Sequence, residues 1–252
     1  MKNNLINVWS RTRFKKPPYV LTGDEEIKDN QNVQKFTSYS DFIKSAYINN
    51  RKTIHLGLLP IPYLGDLAKA KILILLLNPG FEPIDYFAEY KSKAYRKAII
   101  NNIKQKYFDN QYPFLPLNPR FLWTGGGRYW SKKFAGITEE IMRKKRCSYQ
   151  QALSHISKRV AIIEYFPYHS NQFAISKKII KKLVSPKMAV DYVKNILKPR
   201  AKNGEILILV ARKADVWELK RSKNVIIFNG SETRAAHLGK YKNKILDKLL
   251  KP

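Results

Sequence analysis

The 252-residue chain carries 48 Lys and Arg against 19 Asp and Glu, a formal charge of +29, and is 44% hydrophobic and 12% aromatic. That apolar content excludes a disordered basic tail, and so large a charge on a folded chain, with cations interleaved with Tyr and Trp, points to a nucleic acid before an acidic membrane. The single cysteine, Cys147, excludes a disulfide framework, a four-cysteine iron–sulfur cluster and a zinc ribbon.

Residues 1–55 are polar, punctuated by Pro17, Pro18 and Gly23, with a short amphipathic helix expected over 39–48. They read as an N-terminal helical extension on a domain spanning 56–252. Four apolar runs organise that domain: 71–77 (KILILLL), 160–164 (VAIIE), 205–210 (EILILV) and 224–228 (NVIIF). Short continuous apolar runs suit strands buried on both faces of a parallel sheet. Helical patterns lie around them at 87–106, 138–159, 175–197, 214–220 and 240–251. The alternation predicts an α/β fold, three-layered α/β/α, with a central four-stranded parallel sheet. No run approaches the roughly 20 apolar residues of a membrane span. The N-terminus has no secretory apolar stretch, and with the lone thiol this fits a cytoplasmic location. Oligomeric state leaves no trace in the sequence.

Ligands of open α/β sheets bind beyond the carboxyl ends of the strands. The residues following the four runs are Asn78-Pro79-Gly80, Tyr165-Phe166-Pro167-Tyr168-His169, Ala211-Arg212-Lys213-Ala214 and Asn229-Gly230-Ser231. Amide, aromatic, imidazole and guanidinium groups thus converge on one edge. The histidines His55, His155, His169 and His237 are scattered without metal-ligand spacing, so neither metal nor cofactor is expected.

The order Pro62-Tyr63-Leu64-Gly65-Asp66, Ala70-Lys71, first strand, Leu77-Asn78-Pro79-Gly80-Phe81 resembles the uracil-DNA glycosylase superfamily, in the branches that carry Asn-Pro-Gly after strand one. The resemblance covers roughly residues 58–250. It implies a monofunctional DNA glycosylase, with DNA as partner, that flips a base from the duplex and cuts its N-glycosidic bond. By the same resemblance Asn78 orients the attacking water and Phe81 contacts the flipped base; read by themselves, Asn78 is a turn residue and Phe81 core. Asp85 either activates water or caps a helix starting near Tyr86.

The chain departs from the family after strand two, where uracil-specific members place an Asn to read the pyrimidine. Here stand Glu164, Tyr165, Phe166 and His169. The aromatics can stack a base and Glu164 can accept from an exocyclic amine, which cytosine has and uracil lacks. His169 can stabilise a leaving base or contact a phosphate; alternatively it closes the turn and Glu164 pairs with a buried Arg. The family's His-Pro-Ser loop is absent after strand four, where Ser231 and Arg234 could hold a phosphate and His237 is a displaced analogue. Around three glycines, Gly125-Gly126-Gly127, lie Arg128, Tyr129 and Trp130, read as DNA contacts or a wedge on a flexible loop, or as a loop without a role. Arg212 and Lys213 are expected to grip the backbone. The departures favour a bulky modified base, such as a hypermodified phage cytosine, over uracil. The alternative is a non-catalytic nucleic-acid-binding protein that keeps the fold.

Overall fold

In the computed structural model, which describes residues 4–45, 51–106, 109–230 and 238–251, the chain opens with α1 (Asn4–Arg11). Two short strands, β1 (Val33–Gln34) and β2 (Ile54–His55), flank α2 (Tyr39–Ile43) and pair in parallel. The expected helix over 39–48 thus ends at Ile43 in what is described; residues 46–50 lie outside the described residues.

The main sheet begins with β3 (Tyr63–Leu64) and β4 (Ile72–Leu76). Then follow α3 (Pro83–Lys91), α4 (Lys93–Ile103), α5 (Gly125–Lys145), α6 (Tyr149–Ser157) and β5 (Val160–Glu164). The chain continues through α7 (Lys177–Ile180), α8 (Val184–Tyr192), a π-helical turn and α9 (Lys198–Lys202) to β6 (Leu207–Val210), β7 (Val225–Ile227) and α10 (Lys242–Leu250). The sheet order is β3-β5-β4-β6-β7. The four expected strands are parallel neighbours, and the sheet has five strands rather than four because β3 adds antiparallel to β5 at the edge. Helices flank the sheet. Because β5 and β6 lie on opposite sides of β4, the order of strand addition reverses between β4 and β6, the place where such sheets bind ligands.

Side chains Ile72, Leu73, Ile74 and Leu75 are fully buried, as are Ile208 and Leu209. Each such side chain contributes about 1.5–3 kcal/mol of apolar burial. Leu5 and Trp9 of α1, with Tyr19 and Leu21, join this same core. Asp24 ties the segment further down: its Oδ2 accepts from Tyr168 Oη at 2.7 Å, and its Oδ1 from Val184 N at 2.7 Å and Ser185 N at 3.0 Å.

Helix boundaries depart from expectation for local reasons. The 87–106 pattern is two helices, starting earlier because Pro83 suits a first turn, and breaking at Ser92, whose hydroxyl accepts from Tyr95 N. The 138–159 pattern is also two helices: Arg146 takes the left-handed conformation (φ 49°) and Ser148 caps the second. The pattern over 214–220 is a single 3₁₀ turn, Ala214–Val216, bounded by positive φ at Lys213 and Glu218. The glycine-rich segment is the first turn of α5, capped by the Thr124 hydroxyl accepting from Gly127 N at 3.0 Å, and not a flexible loop.

Among the described residues no helix is long and apolar enough to cross a membrane.

Candidate active site

A cavity of about 330 Å³ lies beyond the carboxyl ends of the central strands. Its polar wall comes from Asn78, Glu82, Asp85, the first turn of α5, Glu164, Ser170, Asn171 and Arg212; Ile61, Leu64, Ile99, Leu115, Pro116 and Ile162 supply apolar surface.

Asn78 follows β4 directly and is half-buried. Its Nδ2 donates to Ser170 O at 2.8 Å, Pro79 O at 2.9 Å and Ser170 Oγ at 3.1 Å. Two of these partners are carbonyl oxygens, which only accept, so the amide has one chemically sensible orientation. Oδ1 is left as the acceptor for a ligand or a water. The carboxamide is neutral and cannot take a proton at ordinary pH; what it offers is orientation.

His169 holds the loop that carries Asn78. Its Nδ1 lies 2.9 Å from Gly80 O and its Nε2 3.1 Å from Leu59 O. Both nitrogens face backbone carbonyls; burial lowers its pKa while the two carbonyls oppose the shift, and a neutral ring donates to only one of them at a time. The ring thus closes the turn, as the alternative reading had it, and it also lines the cavity. Phe81 is 5% exposed; its ring stacks on His55 with centroids 3.7 Å apart while also lining the cavity, so the core and wall readings both apply.

Asp85 sits in the first turn of α3, not ahead of it. Its Oδ2 accepts from Glu82 N at 2.8 Å. Burial pushes its carboxyl up to about 7, the nearby Glu82 charge adding to the rise while amides of Glu82 and Gly125 and the Arg128 cation oppose it. Asp85 thus caps the helix from its third position, reaching back to the N-cap residue Glu82, rather than as the N-cap of a helix from Tyr86, and the same side chain also lines the cavity.

Glu164 ends β5 beside Leu76 and is 4% exposed. Among the described residues its Oε2 has no hydrogen-bond partner. Burial holds the carboxyl well above the ordinary range, and the Arg212 cation only partly offsets this. Arg212, expected on the DNA backbone, instead shares the cavity wall, where its side chain hydrogen-bonds Tyr129.

Several expected contacts fall elsewhere. Tyr165 packs edge-on against Trp217, and Phe166 is fully buried in a second cluster with Tyr168 and Ile54; neither lines the cavity, so their reading as base contacts is corrected. Successive residues at a strand end turn to different sides, and of Glu164, Tyr165 and Phe166 only Glu164 lines the site. Trp130 is 4% exposed and packs on Phe114 and Phe134, which removes it as a DNA wedge although its edge reaches the cavity. Tyr129 is exposed at the cavity with Lys133 over its ring, and Arg128 is exposed and paired with Glu82. Lys213 is exposed and outside the cavity wall, 3.9 Å from Asp215. Ser231, Arg234 and His237 lie outside the described residues.

Sequence reasoning missed Ser170, which anchors Asn78 from 92 positions away, and Asn171, whose Oδ1 accepts from Phe81 N at 3.2 Å. Their only signal was adjacency to His169. Among the described residues no group of three His, Cys, Asp or Glu could hold a metal. Comparisons of the chain with protein families, characterised proteins and solved structures find no match.

Proposed function

We propose that this protein is a monofunctional DNA glycosylase of the uracil-DNA glycosylase type, with that family's three-layered α/β/α architecture. It hydrolyses the N-glycosidic bond of a flipped base and leaves an abasic site. The observation that carries this reading is the Asn78 amide, clamped through its nitrogen in the wall of a cavity at the strand ends, which leaves its oxygen as the acceptor. As the bond to the base lengthens, C1′ of the sugar gains oxocarbenium character. A water held by Asn78 Oδ1 is then close enough to add without first being deprotonated. Among the described residues the cavity wall contains no lysine, in keeping with hydrolysis rather than Schiff-base chemistry.

Two further observations support the reading. Trp123, just before α5, and Arg128, Tyr129 and Lys132 in its first two turns are exposed, with Lys133 half-buried beside them, and only Tyr129 of these lines the cavity; aromatic and cationic groups together suit phosphates and unstacked bases. The cavity, at about 330 Å³, exceeds what a bare pyrimidine needs, which favours a substituted base such as a hypermodified cytosine of phage DNA, and with it a cytoplasmic role in defence.

The test is incubation of the purified protein with duplexes carrying uracil or glucosylated hydroxymethylcytosine, followed by alkali. Strand breaks at the modified base are expected from the wild type, with loss of about 10²-fold or more in Asn78→Ala while DNA binding persists. DNA binding without abasic product on any substrate would instead establish a non-catalytic binder.

A further inference from the structure

We propose that Glu164 is the general acid of this site: as a neutral carboxylic acid it donates its proton to a ring nitrogen of the flipped base while its other oxygen accepts from the adjacent exocyclic amine. This rests on the glycosylase reading and adds the base edge that is recognised, that of a cytosine-type ring.

The placement is the first support. Glu164 and Asn78 stand beyond adjacent paired strands: Leu76 is the register partner of Glu164, and Asn78 lies two residues on. Both line one cavity. The second support is what Glu164 lacks. A buried carboxyl is normally met by N–H or O–H donors, as Glu89 is by Leu59 N at 3.0 and 3.2 Å and by the Arg96 guanidinium at 3.5 Å. Glu164 Oε2 is buried without a partner. Across the strand pairing its neighbours are Leu76 and, through Glu164 N to Pro62 O, Pro62, neither ionisable. The ionisable groups coupled to it are Arg212, after β6, and Tyr129, on α5. Burial outweighs Arg212, which favours the protonated form of the acid.

A neutral carboxyl presents one donor and one acceptor side by side. Cytosine offers the complement, N3 as acceptor and the N4 amine as donor. Uracil also offers two groups, but its N3 already bears hydrogen and cannot receive another. The step balances as follows. The N1–C1′ bond breaks with its electron pair going to the base, and the Glu164 proton passes to N3, so that the base leaves neutral. Water adds to C1′ and releases one proton to solvent, and Glu164 regains one from solvent.

The experiment compares single-turnover excision by wild type and Glu164→Gln on a cytosine-type substrate and on its 3-deaza analogue, which has carbon in place of N3. Glutamine keeps the shape and one donor but has no acidic proton. The expected result is a loss of about 10²-fold or more in Glu164→Gln on the normal substrate. Wild type on the deaza analogue should be slowed equally, so that the two proteins no longer differ. The wild-type rate should also fall as pH rises through the Glu164 ionisation, a limb that Glu164→Gln lacks. Melting of Glu164→Gln like the wild type excludes a folding defect, and the disappearance of the difference on the deaza analogue identifies the effect even if melting shifts. The inference is overturned if Glu164→Gln excises normally, or if wild type cuts the deaza analogue as fast as its parent. A wild type that makes no abasic sites on any substrate overturns the glycosylase reading itself, a distinguishable result.

Discussion

Three acceptors restrain the Asn78 amide nitrogen, and one can be removed without touching the backbone. Ser170→Ala deletes the 3.1 Å hydroxyl contact and leaves the two carbonyls. A net hydrogen bond contributes about 0.5–1.5 kcal/mol. Excision should therefore slow by roughly tenfold at most, in kcat rather than KM, measured by steady-state kinetics on the preferred duplex. Asp85 makes a prediction in pH. Its carboxyl moves from an ordinary 3.8 to about 7 on folding. Between those values the folded chain keeps a proton that the unfolded chain has released. The stabilising contribution is complete below the lower value and is lost as pH rises through the upper, at up to about 1.4 kcal/mol per pH unit for one group. Glu89, pushed up to about 8 by burial, acts with the same sign. Asp85→Asn keeps an acceptor for Glu82 N and has no proton to lose. Thermal melts should show it gaining on the wild type as pH rises from about 4 to about 7 and keeping that gain above neutrality, with the gap closing toward acid.

Within α5, neighbouring glycines have opposite reasons to exist. A Cβ at Gly127 would stand 2.3 Å from Phe121 O and 2.7 Å from Leu122 Cα, both backbone atoms that cannot swing aside. A Cβ at Gly126 would meet nothing within 4 Å. Gly127→Ala should cost about 1–3 kcal/mol, whereas Gly126→Ala should gain up to about 1 kcal/mol from helix propensity, both read by chemical denaturation. The same helix shows the limits of reading elements from sequence. Three glycines signal a loop, but the Thr124 cap and the close approach at Phe121 turn them into a helix start. The four parallel strands were legible because each is a continuous apolar run, a pattern that needs no knowledge of neighbours, whereas β1, β2 and β3, two residues each, are too short to show one. Helix ends were less so, since left-handed Arg146 and Lys213 carry no side chain that announces such a backbone. At the site, Asn78, Asp85 and Glu164 were findable because strand ends converge. Ser170 and the carbonyls holding His169 were not, because a backbone acceptor has no letter in the sequence.

For the whole molecule, the charge of +29 makes salt the first variable of any DNA measurement. On duplex DNA each phosphate neutralised contributes about −0.9 to the slope of log K against log salt. If Lys132, exposed on α5, meets a phosphate, Lys132→Ala should flatten that slope by about 1 while leaving base preference unchanged, as fluorescence anisotropy at several salt concentrations would record. The N-terminal residues matter on the same scale. Leu5 and Trp9 belong to the sheet's own core, and Asp24 holds Val184 and Ser185 across separations of 160 and 161 residues. Expression of 56–252 alone should therefore give aggregated protein, scored by the soluble fraction. On the ribosome, the first segment made meets α4 early but waits for α8, far along the message, before its packing is complete, so part of its apolar surface stays open to chaperones through most of translation. A pause late in the gene would lengthen that exposure more than a pause early in it.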